Sequence, residues 1–273
     1  MDLLLLFKAA IMGLVEGITE FLPISSTGHL ILAGQLLDFW TIEKREMFAV
    51  AVQIGAIAAV IYEYWGKLWG ALIGGLKGQE QGRRLSLNLI IASIPIVIVG
   101  LTFGDIIKPY LFNAITVAIA LIVGGFIILW AERRPHSIKT QEVDDLTYKQ
   151  ATLIGLIQCL ALFPGTSRSG STIIGSLFLG VSRKAAAEFS FFLGIPVLMG
   201  AGLLDMYKMR ADLHSNDMAV LAVGIIVAFI SALIVIRALI RYVSKHDFTA
   251  FAYYRIGFGL FILVTWWTGW VSW

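Results

Sequence analysis

The sequence predicts an all-α polytopic membrane protein, an inverted-topology repeat in which each half is a re-entrant helical hairpin followed by three transmembrane helices. Three observations carry this. Of 273 residues, 58% are hydrophobic and 14% charged, and the mean hydropathy is +0.84, well outside the soluble balance. Runs such as 111–130, 218–240 and 251–270 match the roughly 20 apolar residues that a bilayer crossing needs. The chain also repeats at an offset of about 141 residues: Gly13-Leu-Val-Glu16 parallels Gly155-Leu-Ile-Gln158, Phe21-Leu-Pro23 parallels Leu162-Phe-Pro164, and 48–64 parallels 189–205.

Each half opens on a broken apolar segment, 2–22 then 28–38 and 150–163 then 169–180. The arms are too short to cross twice, so they are expected as re-entrant hairpins, whose irregular backbone is tolerated where protein or water surrounds it. Three spans follow in each half: 46–65, 87–103 and 112–131, then 186–207, 218–241 and 250–271. The expected organisation is one integral membrane domain, with repeats at 1–131 and 150–273 joined by a hydrophilic cytoplasmic linker at 132–149. An odd number of crossings per half inverts the second, which directs the two broken segments to a shared site near the midplane.

Basic residues set the orientation. Lys44, Arg45, Lys108, Lys208 and Arg210 fall on one face. Lys67, Lys77, Arg83, Arg84, Arg133, Arg134, Lys139, Lys149, Arg183, Lys184, Arg241 and Lys245 fall on the other, which is therefore expected to be cytoplasmic, with both termini outside. The net charge of +3 follows from such loops and gives no reason to expect nucleic-acid binding. Trp266, Trp267, Trp270 and Trp273 form an interfacial belt. The first apolar run carries Glu16 and Glu20 and lacks a basic region with a small-residue cleavage site, so no cleavable signal is expected. The single cysteine, Cys159, excludes an intrachain disulfide or cysteine metal cluster.

The polar residues are concentrated at the breaks. The first is Glu16-Gly-Ile-Thr-Glu20-Phe-Leu-Pro23-Ile-Ser25-Ser26-Thr27-Gly28-His29; the second is Pro164-Gly165-Thr166-Ser167-Arg168-Ser169-Gly170-Ser171-Thr172. A charged side chain at the centre of a membrane helix costs about 2.5–3.5 kcal/mol, so such residues are rare unless they act on something. Glu16 and Glu20 project from one helical face, and two like charges in a low dielectric call for a shared proton, a metal or a substrate group. Pro23 ends the first arm, and Ser25, Ser26 and Thr27 are N-cap candidates for the next, with Gly28 allowing close approach and His29 in the first turn. Pro164-Gly165 breaks the second arm; Thr166, Ser167 or Ser169 caps, and Arg168 adds a guanidinium fork suited to phosphate. Two helix N-termini and one guanidinium converging tip to tip would take a multiply charged anion such as a diphosphate.

Structural alternatives are an Arg168 ion pair with Glu16 or Glu20, simple capping by the hydroxyls, a buried imidazole at His29, and Thr172 bonding back to its own helix. Gln53 and Ser190 are second-tier candidates for the site lining, and Arg255 is expected to snorkel to the interface.

The two stretches together resemble the hallmarks of the undecaprenyl-diphosphatase family, the bacitracin-resistance phosphatases of bacterial inner membranes, and 48–64, 188–207 and the overall length extend that resemblance over nearly the whole chain. It implies hydrolysis of undecaprenyl diphosphate to the monophosphate and inorganic phosphate, recycling the carrier for peptidoglycan and other envelope polymers. It further implies roles in catalysis for Glu16, Glu20, Ser26, His29, Arg168 and Thr172, a divalent cation (Mg²⁺ or Ca²⁺), and a site opening to the periplasm. The partners so implied are the polyprenyl diphosphate, on which bacitracin also acts, the membrane lipids, and a second copy in a homodimer. A different lipid-phosphatase superfamily with Ser-Gly-His and Ser-Arg elements has a nucleophilic histidine a few residues after the arginine, and 169–179, which follow Arg168 here, contain none.

Within this assignment Ser26 is the expected nucleophile, with Glu20 or His29 taking its proton. Glu16 and Glu20 hold the cation. Ser25, Thr27, Gly28, Ser167, Ser169 and Thr172 bind substrate, and a metal-activated water is the rival attacking group. The alternative from another class is a polyprenyl-phosphate transporter or flippase, alone or combined with hydrolysis, since inverted repeats with broken helices are also a transporter layout.

Overall fold

The computed structural model describes residues 2–111, 113–135, 137–208, 214 and 217–271. Arg210 and Trp273, used above for topology, lie outside these residues, as does the side chain of Lys108. Among the described residues the secondary structure is helical. Six helices are long and apolar enough to cross a membrane: Lys44–Glu63, Glu80–Phe103, Ala114–Arg133, Arg183–Lys208, Met218–Val243 and Thr249–Trp267. They correspond to the six expected spans.

The first broken segment forms α1 (Leu3–Thr19) and α2 (Ser26–Leu36). The Asp2 carboxylate caps α1 by accepting from the Leu4 and Leu5 N–H groups; Pro23, which has no N–H to donate, lies in the break. The second forms α7 (Tyr148–Gln158), a 3₁₀ turn (Cys159–Leu162) and α8 (Arg168–Phe178).

The spans expected at 46–65 and 87–103 leave 66–86 unassigned. The chain there forms a further helix, α4 (Trp65–Leu76), between α3 (Ile42–Glu63) and α5 (Glu80–Leu111). Its glycines weaken the helical signal, and packing restores it, because Gly82 lets α5 approach the backbone of Ala71 and Gly74–Gly75. Trp65, Trp69, Leu72 and Leu76 stay exposed, an apolar face of the kind that interfacial helices present to lipid. The span Arg183–Lys208 is also interrupted: α9 (Arg183–Gly194) and α10 (Gly200–Lys208) flank a π-helical turn, Ile195–Met199. Pro196 cannot donate to the helical ladder, which accounts for the slip.

The remaining long helices are α6 (Ala114–Arg133), α11 (Met218–Val243) and α12 (Thr249–Trp267). Their pairing exchanges the two halves. Helix α1 packs on α11 and α7 packs on α5, while α6 packs on α12. The first two contacts are backbone-close at equivalent glycines: a Cβ on Gly13 would stand 2.4 Å from the Gly224 carbonyl, and one on Gly155 2.5 Å from that of Ala92. Small residues permit this approach where apolar burial gives helices in lipid little mutual attraction.

The expected loop at 132–149 is pinned rather than loose. Val143 and Leu146 enter the core, Asn88 Nδ2 donates to the Leu146 carbonyl at 2.8 Å, and buried Thr140 and Gln150 bond each other.

Candidate active site

Both breaks end on a serine held in the left-handed region immediately before a helix. Ser25 has φ 69° and Ser167 has φ 72°. A non-glycine residue there costs on the order of 1–3 kcal/mol, a strain that persists only when the surroundings impose it. Ser167 Oγ accepts from Gly170 N at 3.0 Å and so caps α8. Ser25 makes no such cap, so the first N–H groups of α2 remain free of a side-chain acceptor and available to an anion.

The tips meet through Glu20 and Arg168. Arg168 Nη2 donates to Glu20 Oε1 at 2.9 Å, and both side chains are more than nine-tenths buried. Ser26 Oγ donates to the other carboxylate oxygen, Oε2, at 2.6 Å. Arg168 Nη1 donates to the Ser190 carbonyl at 2.7 Å and to its Oγ at 3.2 Å, while Nε has no partner in the chain. Glu20, Ser25, Ser26, Thr27, Ser167 and Arg168 line one cavity of about 150 Å³, together with Gln53 and an apolar wall at Ala161–Phe163 and Leu198. That is room for a phosphorylated headgroup rather than a long hydrocarbon chain.

Other predicted site residues lie one layer back. Thr172 Oγ1 donates to Ser190 Oγ at 2.8 Å, within reach of its own helix at the Arg168 carbonyl, and so steadies the serine that holds Arg168. Ser169 Oγ donates to the Leu22 carbonyl at 2.9 Å and ties the second tip to the first. Gly28 packs against Val117 and Phe258. Glu16 is buried, its charged neighbours are Glu20 and Arg168, and neither of its carboxylate oxygens accepts a hydrogen bond from the chain.

His29 occupies a different position from Glu20. Its Nδ1 lies 2.7 Å from the Ser25 carbonyl and its Nε2 lies 2.7 Å from Tyr254 Oη, with the ring stacked on Phe258 at 4.1 Å between centroids. A carbonyl can only accept, so Nδ1 carries the proton, and in the neutral ring Nε2 accepts from the tyrosine. Of the two bases considered for Ser26, Glu20 is the one in contact with its hydroxyl.

The largest correction concerns Arg255. Instead of snorkelling to the interface, it is 1% exposed. Its guanidinium donates to Pro23 O on the first tip, Gly165 O and Thr166 O on the second, and Ala120 O and Leu121 O on α6. Broken helices expose carbonyls that need donors, and one side chain supplies them at both breaks. A single charge inside an apolar span was the signal for it; Tyr254, an aromatic beside that charge, offered no comparable one.

The chain matches the family model described as bacitracin resistance protein BacA over residues 9–261. It belongs to the BacA family. This BacA family member is 64% identical over 274 residues to undecaprenyl-diphosphatase 1 of Acinetobacter baylyi, covering 100% of both chains. It is 59% identical to undecaprenyl-diphosphatase 2 of Rhodospirillum rubrum, with 100% of this chain and 99% of the relative covered. It is 58% identical to undecaprenyl-diphosphatase of Nitrosomonas europaea, at the same coverage.

Proposed function

We propose that this BacA family member hydrolyses undecaprenyl diphosphate to undecaprenyl phosphate and inorganic phosphate. The observation that carries the reading is Glu20 bridging the Ser26 hydroxyl and the Arg168 guanidinium in one cavity between two helix starts. The relatives' names agree with it.

The residues assign themselves to an attack on the terminal phosphorus. Ser26 Oγ forms the new O–P bond as its proton passes to Glu20 Oε2, and the anhydride P–O bond breaks with undecaprenyl phosphate as the leaving group. Water then cleaves the phosphoserine, releasing phosphate, with Glu20 returning the proton to Ser26. Arg168 and the uncapped start of α2 hold charge on the phosphoryl oxygens, where positioning and electrostatics supply most of the acceleration. His29, oriented by Tyr254, fixes the first turn of α2 through the Ser25 carbonyl.

A divalent cation fits the donor set. Glu16 offers two buried oxygens without partners beside Glu20. Among the described residues no group of three His, Cys, Asp or Glu side chains gathers as a cage. A hard cation held by one or two carboxylates is completed by substrate phosphates and water. When bound, it would neutralise charge on the diphosphate.

The exchanged pairing of α1 with α11 and α7 with α5 supports an inverted repeat, with the hairpins entering from opposite faces. With the basic-residue bias, it supports placement in the bacterial inner membrane with the cavity opening to the periplasm. Phosphate release from a polyprenyl diphosphate by purified protein, with and without chelator, tests the activity. Transport without hydrolysis predicts no release.

A further inference from the structure

A second cavity, of about 630 Å³, lies at the base of the second hairpin, where the linker, the start of α7 and the end of α8 meet. It is separated from Arg168 by the length of α8, roughly 15 Å for an 11-residue helix. Three cationic side chains line it, Arg134, Lys139 and Lys149, against one carboxylate, Asp145.

The neighbouring cations are neutralised: Lys67 pairs with Asp144, Arg183 with Glu132 and Lys184 with Glu142. Among the described ion pairs none includes Arg134, Lys139 or Lys149. The floor is already satisfied, since Gln150 bonds Thr140 and the Leu179 carbonyl. All three are exposed, and with Asp145 as the one carboxylate in the lining they leave an excess of positive charge there. Arg134 stands 5.1 Å from the exposed Trp130 ring and 5.6 Å from that of Phe178, an aromatic pair at the end of the apolar span where headgroups sit. Cations above an apolar wall, between helices at the bilayer edge, match the chemistry of an anionic lipid headgroup.

We propose that this cavity seats the headgroup of an anionic glycerophospholipid from the surrounding bilayer. Lys139 and Lys149 take its phosphate, Arg134 braces it at the aromatic band, and the bound lipid fastens the base of the hairpin that carries Arg168.

The test uses the purified full chain, delipidated in detergent, with phosphatidylglycerol or phosphatidylcholine added and bound lipid counted by native mass spectrometry. The parent should retain phosphatidylglycerol over phosphatidylcholine by roughly twenty-fold, given about fivefold per basic side chain near a lipid surface and three cations set against Asp145. Lys139→Gln/Lys149→Gln should bring the two lipids within about twofold of each other, while Lys139→Arg/Lys149→Arg and Lys245→Gln keep the preference. Equal retention by the parent overturns the proposal. So does an unchanged preference in the glutamine pair, or its loss in the arginine pair, which keeps the charge. Displacement of the lipid by inorganic phosphate, or stronger retention of a polyprenyl monophosphate, overturns it as well, since the occupant is then not a bilayer phospholipid.

Discussion

Arg168 donates to Glu20 at 2.9 Å across 148 residues of sequence, an ion pair between the tips of two hairpins from different halves of the chain. Removing either partner leaves the other charge buried and unpaired, which costs about 3–5 kcal/mol in measured cases. Glu20→Ala and Arg168→Ala should each lower stability by that order and abolish phosphate release. The double variant should be destabilised by less than the sum of the two, measured by thermal unfolding in one detergent. Strict additivity would mean the pair is not coupled.

Ser26→Ala should reduce turnover by at least about a hundredfold, as loss of a nucleophile does. In the parent, rapid quenching should trap phosphate on Ser26, located by peptide mass spectrometry. Near-normal turnover by the alanine variant would leave direct attack by water as the route.

Tyr254→Phe keeps the stack on His29 and deletes only the hydroxyl that meets Nε2. The loss of one such bond, about 1–1.5 kcal/mol, corresponds to roughly a tenfold fall in kcat/KM. In a His29→Ala background the same substitution should have almost no further effect. An undiminished tenfold fall there would show that the tyrosine acts by another path.

Arg255→Lys distinguishes a clamp from an interfacial charge. A lysine ammonium has three donors and no planar fork, so it cannot serve five carbonyls on three elements. The variant should lose at least about 2 kcal/mol of stability, read by thermal unfolding. A charge that merely reached the interface would tolerate the exchange.

Glu16→Gln should raise the Mg²⁺ concentration needed for half-maximal phosphate release by about tenfold or more, with a smaller effect at saturating metal. An unchanged metal requirement would remove Glu16 from the cation site.

Much of this protein could be read along the chain. Span lengths are set by bilayer thickness, so the six crossings follow from apolar run length alone. The two breaks announce themselves because Pro23 and Pro164-Gly165 stop helices, and because Glu20, Ser26 and Arg168 are costly in hydrocarbon unless used. Helix α4 is not legible in the chain because its glycines weaken local propensity, while the close approach of α5 at Gly82 is a tertiary contact.

Local pattern alone, then, determined which polar residues gather at the two breaks and where the broken segments must stop. Which of them meet was decided by the fold. Glu20 rather than His29 reaches Ser26, Thr172 bonds Ser190, and Arg255 turns inward. The reason is physical: the need of a bare carbonyl or a buried carboxylate for a donor is local, but the donor that satisfies it comes from whichever distant helix packs alongside.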